Sequence, residues 1–142
     1  MPDPTISSEE IQSRGPLQIL IVEDTQDAQT LIKMFLRKTP FKLTFADNGK
    51  IAIEAFKERA YHLVLMDVTM PIMDGISALR EIRKWEKEMK RPLTPIVALT
   101  AKSLPEEIEE LMKEGFTSFF AKPYEKGRLI EVILKYSLPF KE

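Results

Sequence analysis

The chain of 142 residues contains no cysteine, few glycines and a single histidine, His62. Without cysteine it cannot form a disulfide, a thiolate zinc site or a cysteine nucleophile. One histidine is too few for a histidine metal cluster and nearly excludes a Ser-His-Asp triad. His62 directly precedes an apolar run, and we expect it to be a surface or strand-entry residue. A metal site would therefore depend on oxygen ligands, which favour hard cations.

A strong charge of one sign and long hydrophobic runs are also missing. The formal net charge is -1, which gives no support for binding to nucleic acid or to an anionic membrane. No apolar run approaches the roughly 18–20 residues that are needed to span a bilayer. The N-terminus is acidic and polar, unlike a signal peptide. We therefore expect a cytoplasmic protein that does not insert into membranes.

Short apolar runs alternate five times with segments of helical periodicity. The strands are expected at 17–22, 41–46, 63–67, 96–100 and 116–121, and the helices near 25–38, 51–56, 74–89, 104–114 and 125–136. This alternation predicts an α/β domain over residues 17–138, with one doubly wound parallel sheet of five strands and helices on both faces. The second strand is expected at an edge. Residues 1–16 are expected to be a flexible tail or linker, and 139–142 a C-terminal tail.

Helical periodicity also predicts which side chains face the core. Leu31 in the first helix and Ile51 in the second belong to apolar stripes that should point inward. The distal part of the third helix, residues 85–91, is mostly charged and is expected to form a solvated face.

The run from Leu63 to Met66 ends in one carboxylate, Asp67, at the end of a buried strand. Open α/β sheets bind and react at the carboxyl ends of their strands. The other polar strand ends are Glu23 and Asp24 after the first strand, Thr100 at the fourth and Lys122 after the fifth. Each has an ordinary explanation, since an acid can cap a helix and Lys122 can be a surface ammonium. Their joint position at four strand ends predicts one shared cleft.

Three carboxylates, a hydroxyl and a lysine in one cleft suit the binding of a phosphoryl group. Like charges so close together call for a cation among them, and oxygen ligands favour Mg²⁺, with Mn²⁺ as a substitute. A carboxylate such as Asp67 can accept a phosphoryl group as a mixed anhydride, and Lys122 can stabilise the transferred oxygens. Neither glycine-rich phosphate-binding motif occurs, which argues against nucleotide binding.

These motifs resemble those of the receiver domains of two-component response regulators, the CheY-like family. The matching segments are Val22-Glu23-Asp24, Met66-Asp67-Val68-Thr69-Met70-Pro71 with Asp74-Gly75, Ala98-Leu99-Thr100-Ala101, and Lys122-Pro123. The resemblance covers about residues 17–138. It implies a flavodoxin-like receiver fold and a signalling domain, not an enzyme that turns over a metabolite.

The resemblance also implies a role for each site residue. Asp67 would accept a phosphoryl group from a phosphohistidine on a histidine kinase or a histidine phosphotransfer protein. Mg²⁺ would be held by Glu23, Asp24, Asp67 and the backbone carbonyl of Thr69. Lys122 would pair with the phosphate, and Thr100 would turn to form a hydrogen bond with it.

Residues around the site would transmit and tune the signal. Phe119 is the candidate aromatic switch, which would rotate inward as Thr100 moves; a plain core position is the other interpretation. The fourth helix, fifth strand and fifth helix would form the output surface. Thr69 and Lys102 would influence how readily water attacks the acyl phosphate. A docking face for the phosphodonor is expected on the first helix, at Gln26, Asp27, Thr30 and Met34.

Several alternatives stay open on the sequence alone. A haloacid-dehalogenase-type phosphatase also uses a strand-end aspartate, Mg²⁺, a threonine and a lysine. It would, however, place a second aspartate where this chain has Thr69, and its nucleophile belongs to the first strand. A pseudo-receiver would be an interaction domain that is never phosphorylated. A receiver could work alone through a downstream protein partner, as a monomer or weak homodimer, or belong to a hybrid histidine kinase.

Overall fold

The computed structural model describes residues 16–69, 73–101, 104–122 and 124–137. The strands are β1 (Gln18–Val22), β2 (Lys42–Ala46), β3 (Leu63–Asp67), β4 (Ile96–Thr100) and β5 (Ser118–Ala121). The helices are α1 (Gln26–Leu36), α2 (Gly49–Glu58), α3 (Gly75–Glu88), α4 (Pro105–Glu114) and α5 (Lys126–Ser137). The predicted alternation is confirmed, with bounds that differ by a few residues. Apart from Pro16, the predicted tails lie outside the described residues.

The strands form one parallel sheet in the order β2-β1-β3-β4-β5. The edge position predicted for β2 is confirmed, and β3 lies at the centre with all its residues buried. Asp67 is opposite Leu99, and Thr100 is opposite Ala121. The carboxyl ends of β3, β4 and β5 therefore meet at the same edge of the sheet, where ligands bind in open α/β folds.

Two apolar layers cover the sheet. Because successive strand residues point to opposite faces, Leu20 and Val22 belong to one layer while Ile19 and Ile21 belong to the other. The first layer packs against α2, α3 and α4, and the second packs against α1 and α5. Both faces are covered by helices, so the prediction of a doubly wound sheet is confirmed. Within the described residues, no helix is both long and apolar enough to cross a membrane.

Two predictions about inward-facing residues are wrong. Leu31 and Ile51 are 37% and 41% exposed. The buried positions are Gln29, Ile32 and Leu36 in α1, and Gly49, Ala52 and Phe56 in α2. Each helix buries a narrow stripe, and the residue just before Ile32 or Ala52 lies about 100° away around the helix. Both side chains are therefore turned out of the core.

The charged end of α3 is not a uniformly solvated face. Glu86 is fully buried: its Oε1 accepts a hydrogen bond from Arg83 Nη1 at 2.9 Å, and its Oε2 accepts one from the N–H of Thr94 at 2.8 Å. Arg83 also donates to the carbonyl oxygens of Thr94 and Gly115, at 2.8 and 3.2 Å. The sequence prediction fails here because the partners of Glu86 include backbone groups that only the fold brings near.

Gly75 lets α3 begin directly against the end of β3. Its N–H donates to the carbonyl of Val68 at 3.0 Å. A Cβ atom at this position would collide with the carbonyl oxygen of Asp67 and would lie 2.9 Å from the Cα of Val68. The preceding Asp74 caps the helix by accepting a hydrogen bond from the N–H of Ser77 at 2.8 Å. The start of α3 is thereby fixed beside Asp67.

Candidate functional site

Three acidic residues meet at the carboxyl edge of the sheet. Glu23 and Asp24 follow β1, and Asp67 is the last residue of β3. Carboxylate oxygens of the three lie within 4.8 Å of one another. Glu23 and Asp67 are buried, at 2% and 3% exposure, and Asp24 is the most exposed of the three. This is an oxygen-only donor set, and it could hold a hard divalent cation such as Mg²⁺.

Lys122 extends from the end of β5 into the acidic group. Its Nζ lies 2.9 Å from Asp67 Oδ2 and 3.7 Å from Glu23 Oε2. Burial would lower the pKa of Lys122, but its hydrogen bond to Asp67 and the charges of Asp67 and Glu23 outweigh burial and raise the pKa above its ordinary value. The ammonium therefore stays charged beside the carboxylates.

The acidic group carries more negative charge than Lys122 neutralises. Burial, followed by the charge of Asp67, raises the pKa of Glu23 from 4.5 to about 7, although Lys122 acts in the opposite direction. Two buried carboxylates and one ammonium thus leave a surplus that disfavours ionised Glu23. A cation bound by these oxygens would remove that surplus.

The other oxygen of Asp67 is held by the backbone. The N–H of Thr69 donates to Asp67 Oδ1 at 3.0 Å. Together with Lys122 on Oδ2, this hydrogen bond fixes the plane of the carboxylate. Thr69 itself is exposed and lines the cleft above the acids. The second predicted tuning residue, Lys102, lies outside the described residues.

The two predicted switch residues lie on the same side of the sheet. Phe119 is opposite Ala98, which lies two residues before Thr100 on β4. Thr100 is buried at the end of β4, whereas Phe119 is 39% exposed. The interpretation of Phe119 as a plain core residue is therefore wrong: the aromatic at the core position is the next residue, Phe120, which is buried.

The predicted docking residues on α1 form an exposed surface. Gln26, Asp27, Thr30 and Met34 are all exposed, and Met34 reaches 60%. The cleft beside the acids is lined on this side by Ala28 and Leu31. Leu31 was predicted to be in the core, and the structure places it at the cleft instead.

Two residues of the site were missed by sequence reasoning. Gln29 is buried in α1, and its Nε2 donates to the carbonyl of Glu23 at 2.7 Å and to Asp47 Oδ1 at 2.8 Å, which fixes the acidic loop. A polar residue within the apolar stripe of α1 was a signal for it. Tyr124 donates its hydroxyl to Glu23 Oε2 at 3.2 Å. Burial and the charges of Glu23 and Asp67 raise the pKa of Tyr124, so the hydroxyl stays protonated.

His62 takes no part in this site. It stands directly before β3, at the opposite edge of the sheet, where its Nδ1 accepts a hydrogen bond from the N–H of Gln18 at 2.9 Å. Burial lowers the pKa of His62, which favours the neutral imidazole that can accept this bond. The expected strand-entry role is confirmed.

Comparison with known proteins identifies the kind of domain that carries this site. The family model for the response regulator receiver domain matches residues 19–134. The sensor protein GacS of Pseudomonas syringae pv. syringae is 35% identical over 127 residues, covering 89% of this chain and 14% of GacS. The chain thus spans only a small part of the length of this relative.

Solved receiver structures have the same fold. The receiver domain of the sensor histidine kinase PA1611 from Pseudomonas aeruginosa PAO1, with a magnesium ion in its active-site cleft, is 33% identical, with a TM-score of 0.75 and coverage of 86% of this chain and 98% of that one. The receiver domain of Ssk1 from Saccharomyces cerevisiae, solved with the histidine phosphotransfer protein Ypd1, is 32% identical, with a TM-score of 0.80 and coverage of 87% and 90%. Such matches do not favour the phosphatase alternative. The chain belongs to the family of response regulator receiver domains.

Proposed function

We propose that Asp67 accepts a phosphoryl group from a phosphohistidine on a histidine kinase or a histidine phosphotransfer protein. The observation that carries this proposal is the buried Asp67 carboxylate, with Lys122 Nζ at 2.9 Å and two further acids close by. In the reaction an oxygen of Asp67 forms a bond to phosphorus while the phosphorus–nitrogen bond of the phosphohistidine breaks. The electron pair of that bond stays on the imidazole nitrogen.

Mg²⁺ is the cation that we expect at the acidic group, with Mn²⁺ as a substitute. Glu23, Asp24, Asp67 and the carbonyl of Thr69 would hold it. The surplus negative charge that raises the pKa of Glu23 supports a divalent cation at this position. When bound, Mg²⁺ supplies positive charge that stabilises the transferred oxygens. The magnesium ion in the PA1611 receiver supports the same assignment.

Lys122 and Thr100 would stabilise the phosphorylated state. The Lys122 ammonium, which now contacts Asp67, would pair with a phosphoryl oxygen, and the Thr100 hydroxyl would turn to donate to another. Movement of Thr100 would open space for Phe119 to rotate inward from its exposed position. We propose that this movement changes the surface of α4, β5 and α5, where a downstream protein would bind. Thr69 and Lys102 would set the rate at which water removes the phosphoryl group.

The phosphodonor would dock on the exposed side of α1. Gln26, Asp27, Thr30 and Met34 supply this surface, and the binding of the Ssk1 receiver to Ypd1 supports a phosphotransfer protein as the partner. Alanine variants of these residues should slow transfer from a phosphohistidine protein and leave the reaction with acetyl phosphate unchanged. The receiver would act alone or within a hybrid histidine kinase, and we expect it in the cytoplasm.

The experiment that tests the function is intact mass spectrometry after incubation with Mg²⁺ and acetyl phosphate or phosphoramidate. The wild-type chain should gain one phosphoryl group, and the gain should disappear in EDTA and in Asp67→Asn. Asp27→Asn, which removes an exposed carboxylate beside the site, is the matched control and should be phosphorylated normally. Absence of any gain, with Mg²⁺ binding confirmed separately, would favour a pseudo-receiver. A gain that persists in Asp67→Asn would contradict the assignment of the acceptor.

A further inference from the structure

Tyr124 occupies a position that the metal-binding and phosphate-binding motifs do not include. It lies two residues beyond Lys122 and one residue before Glu125, ahead of α5. Its hydroxyl donates a hydrogen bond to Glu23 Oε2 at 3.2 Å. Tyr124 also lines the cleft in which Glu23, Asp24 and Asp67 meet. The residue thus contacts a proposed cation ligand from outside the acidic group.

The position of the Tyr124 hydroxyl is set by ring packing. The ring stacks on Phe120, with 6.0 Å between ring centroids and an angle of 6° between the planes. Phe120 is buried in the apolar layer between the sheet and α5. The aromatic pair therefore holds the hydroxyl in place, and the 3.2 Å bond, long for a hydroxyl donor, contributes little to holding the ring.

The hydrogen bonds of Glu23 explain why a second donor matters. Its Oε1 accepts from the N–H of Asp24 at 3.1 Å, and its Oε2 faces both Tyr124 and, at 3.7 Å, the Lys122 ammonium. Without the Tyr124 hydroxyl, the Lys122 ammonium would still offer a side-chain donor to Oε2. The carboxylate would turn towards Lys122 and compete with Asp67 for its 2.9 Å contact. The hydroxyl therefore keeps Glu23 beside Asp24 and leaves Lys122 with Asp67.

We propose that Tyr124 is a positioning residue for the cation: its hydroxyl holds the Glu23 carboxylate in the orientation in which it helps to bind Mg²⁺. This inference rests on the proposed function, because it assumes that the three acids hold a cation. Partners that orient a metal ligand change metal affinity by about 10–100-fold when they are removed. Since this bond is long, we expect the lower end, an increase of about tenfold in the Kd for Mg²⁺ in Tyr124→Phe.

The test compares the wild type, Tyr124→Phe and Tyr136→Phe. The substitution Tyr124→Phe keeps the stack on Phe120 and removes only the hydroxyl. Tyr136 is a matched control, because it also lies against the α5 side of the sheet but sits in the last turn of α5, at the end remote from the site. Isothermal titration calorimetry gives the Kd for Mg²⁺, and thermal unfolding in EDTA gives the stability without a cation.

The expected result is a rise of about tenfold in the Kd for Tyr124→Phe alone, with unfolding midpoints in EDTA that shift no more than that of the control. An unchanged or tighter Kd in Tyr124→Phe would overturn the inference and leave the proposed function intact. A Kd that weakens together with a large loss of stability in EDTA would also overturn it, because the hydroxyl would then act on the fold. A wild-type chain that binds no Mg²⁺ would overturn the proposed cation site itself and the inference with it.

Discussion

Two buried glutamates in this domain differ in how their negative charge is balanced. Glu86, fully buried in the last turn of α3, has a hydrogen bond on each carboxylate oxygen and one arginine, Arg83, to balance its charge. Glu23 shares a single ammonium with Asp67, and burial beside that second carboxylate raises its pKa to about 7. The balanced pair of Glu86 and Arg83 connects elements of the fold. The surplus of negative charge around Glu23 lies beside an open cleft and is suited to binding a cation.

The position of each glutamate follows from what surrounds it. The Glu86 group joins α3 to the segment before β4 and, through Arg83, to the carbonyl of Gly115 at the end of α4. The Glu23 group lies at the carboxyl edge of the sheet and faces the cleft beside α1. We therefore expect substitutions at Glu86 to change stability regardless of Mg²⁺, and substitutions at Glu23 to change mainly the response to Mg²⁺.

The largest loss of stability is expected from Glu86→Ala. The substitution leaves Arg83, whose side chain is only 18% exposed, without its carboxylate and removes the acceptor of the Thr94 N–H. Breaking a buried ion pair in this way costs about 3–5 kcal/mol. Urea unfolding should show this loss equally in EDTA and in Mg²⁺.

The control for Glu86→Ala is a surface ion pair that joins α3 to α4. Arg80 makes two 2.8 Å hydrogen bonds to Glu114, but its side chain is 63% exposed. Arg80→Ala should therefore cost below about 1 kcal/mol. A loss in Glu86→Ala no greater than that in Arg80→Ala would contradict the structural role given to the buried pair.

A smaller loss of stability is expected from Gly75→Ala. This variant tests how the start of α3 packs against the end of β3 beside Asp67. The added methyl group would collide with the backbone of Asp67 and Val68, and such overpacking costs about 1–3 kcal/mol. Since the shifted backbone carries Asp67, phosphorylation by acetyl phosphate should also slow. Gly127→Ala is the control, because among the described residues no atom beyond its chain neighbours and its own helix backbone lies within 4 Å of the added Cβ. Equal behaviour of the two variants in urea unfolding would show that α3 does not require glycine at its start.

A change in stability of opposite sign is expected from Glu23→Gln in EDTA. The folded pKa of about 7 lies above the ordinary glutamate value of 4.5, so the folded state loses stability relative to the unfolded state as the pH rises between these values. Glutamine removes this penalty. The variant should be at least as stable as the wild type at pH 8, and its advantage should disappear near pH 4.

Addition of Mg²⁺ should stabilise the wild type more than Glu23→Gln. At a Mg²⁺ concentration of ten times Kd, the wild type should gain about 1.4 kcal/mol, and the variant should gain much less. Asp27→Asn, an exposed carboxylate on α1, should respond to Mg²⁺ as the wild type does. A full Mg²⁺ response in Glu23→Gln would mean that Glu23 is a structural residue like Glu86.

Much of the site could be predicted because it is built from strand ends. An apolar run that stops at a polar residue indicates both a buried strand and its carboxyl end, and parallel strands bring those ends to one edge. That rule was sufficient for Glu23, Asp24, Asp67, Thr100 and Lys122. Tyr124 and Gln29 were missed because no local sequence pattern indicates their partners. Tyr124 donates to the Glu23 carboxylate, and Gln29 donates to the carbonyl of Glu23 and to the Asp47 carboxylate.

The sequence by itself determined the alternation of strands and helices, the parallel sheet and the identity of the strand-end residues, since these follow from periodicity and chain order. Only the tertiary structure decided which charges are balanced. Helical i,i+3 spacing brings Arg83 near Glu86. Only packing buried both glutamates, gave Glu86 the N–H of Thr94 as a second donor and placed Glu23 beside a second buried carboxylate. Electrostatic energy depends on distances and burial in space, and residue types along the chain do not fix either of them.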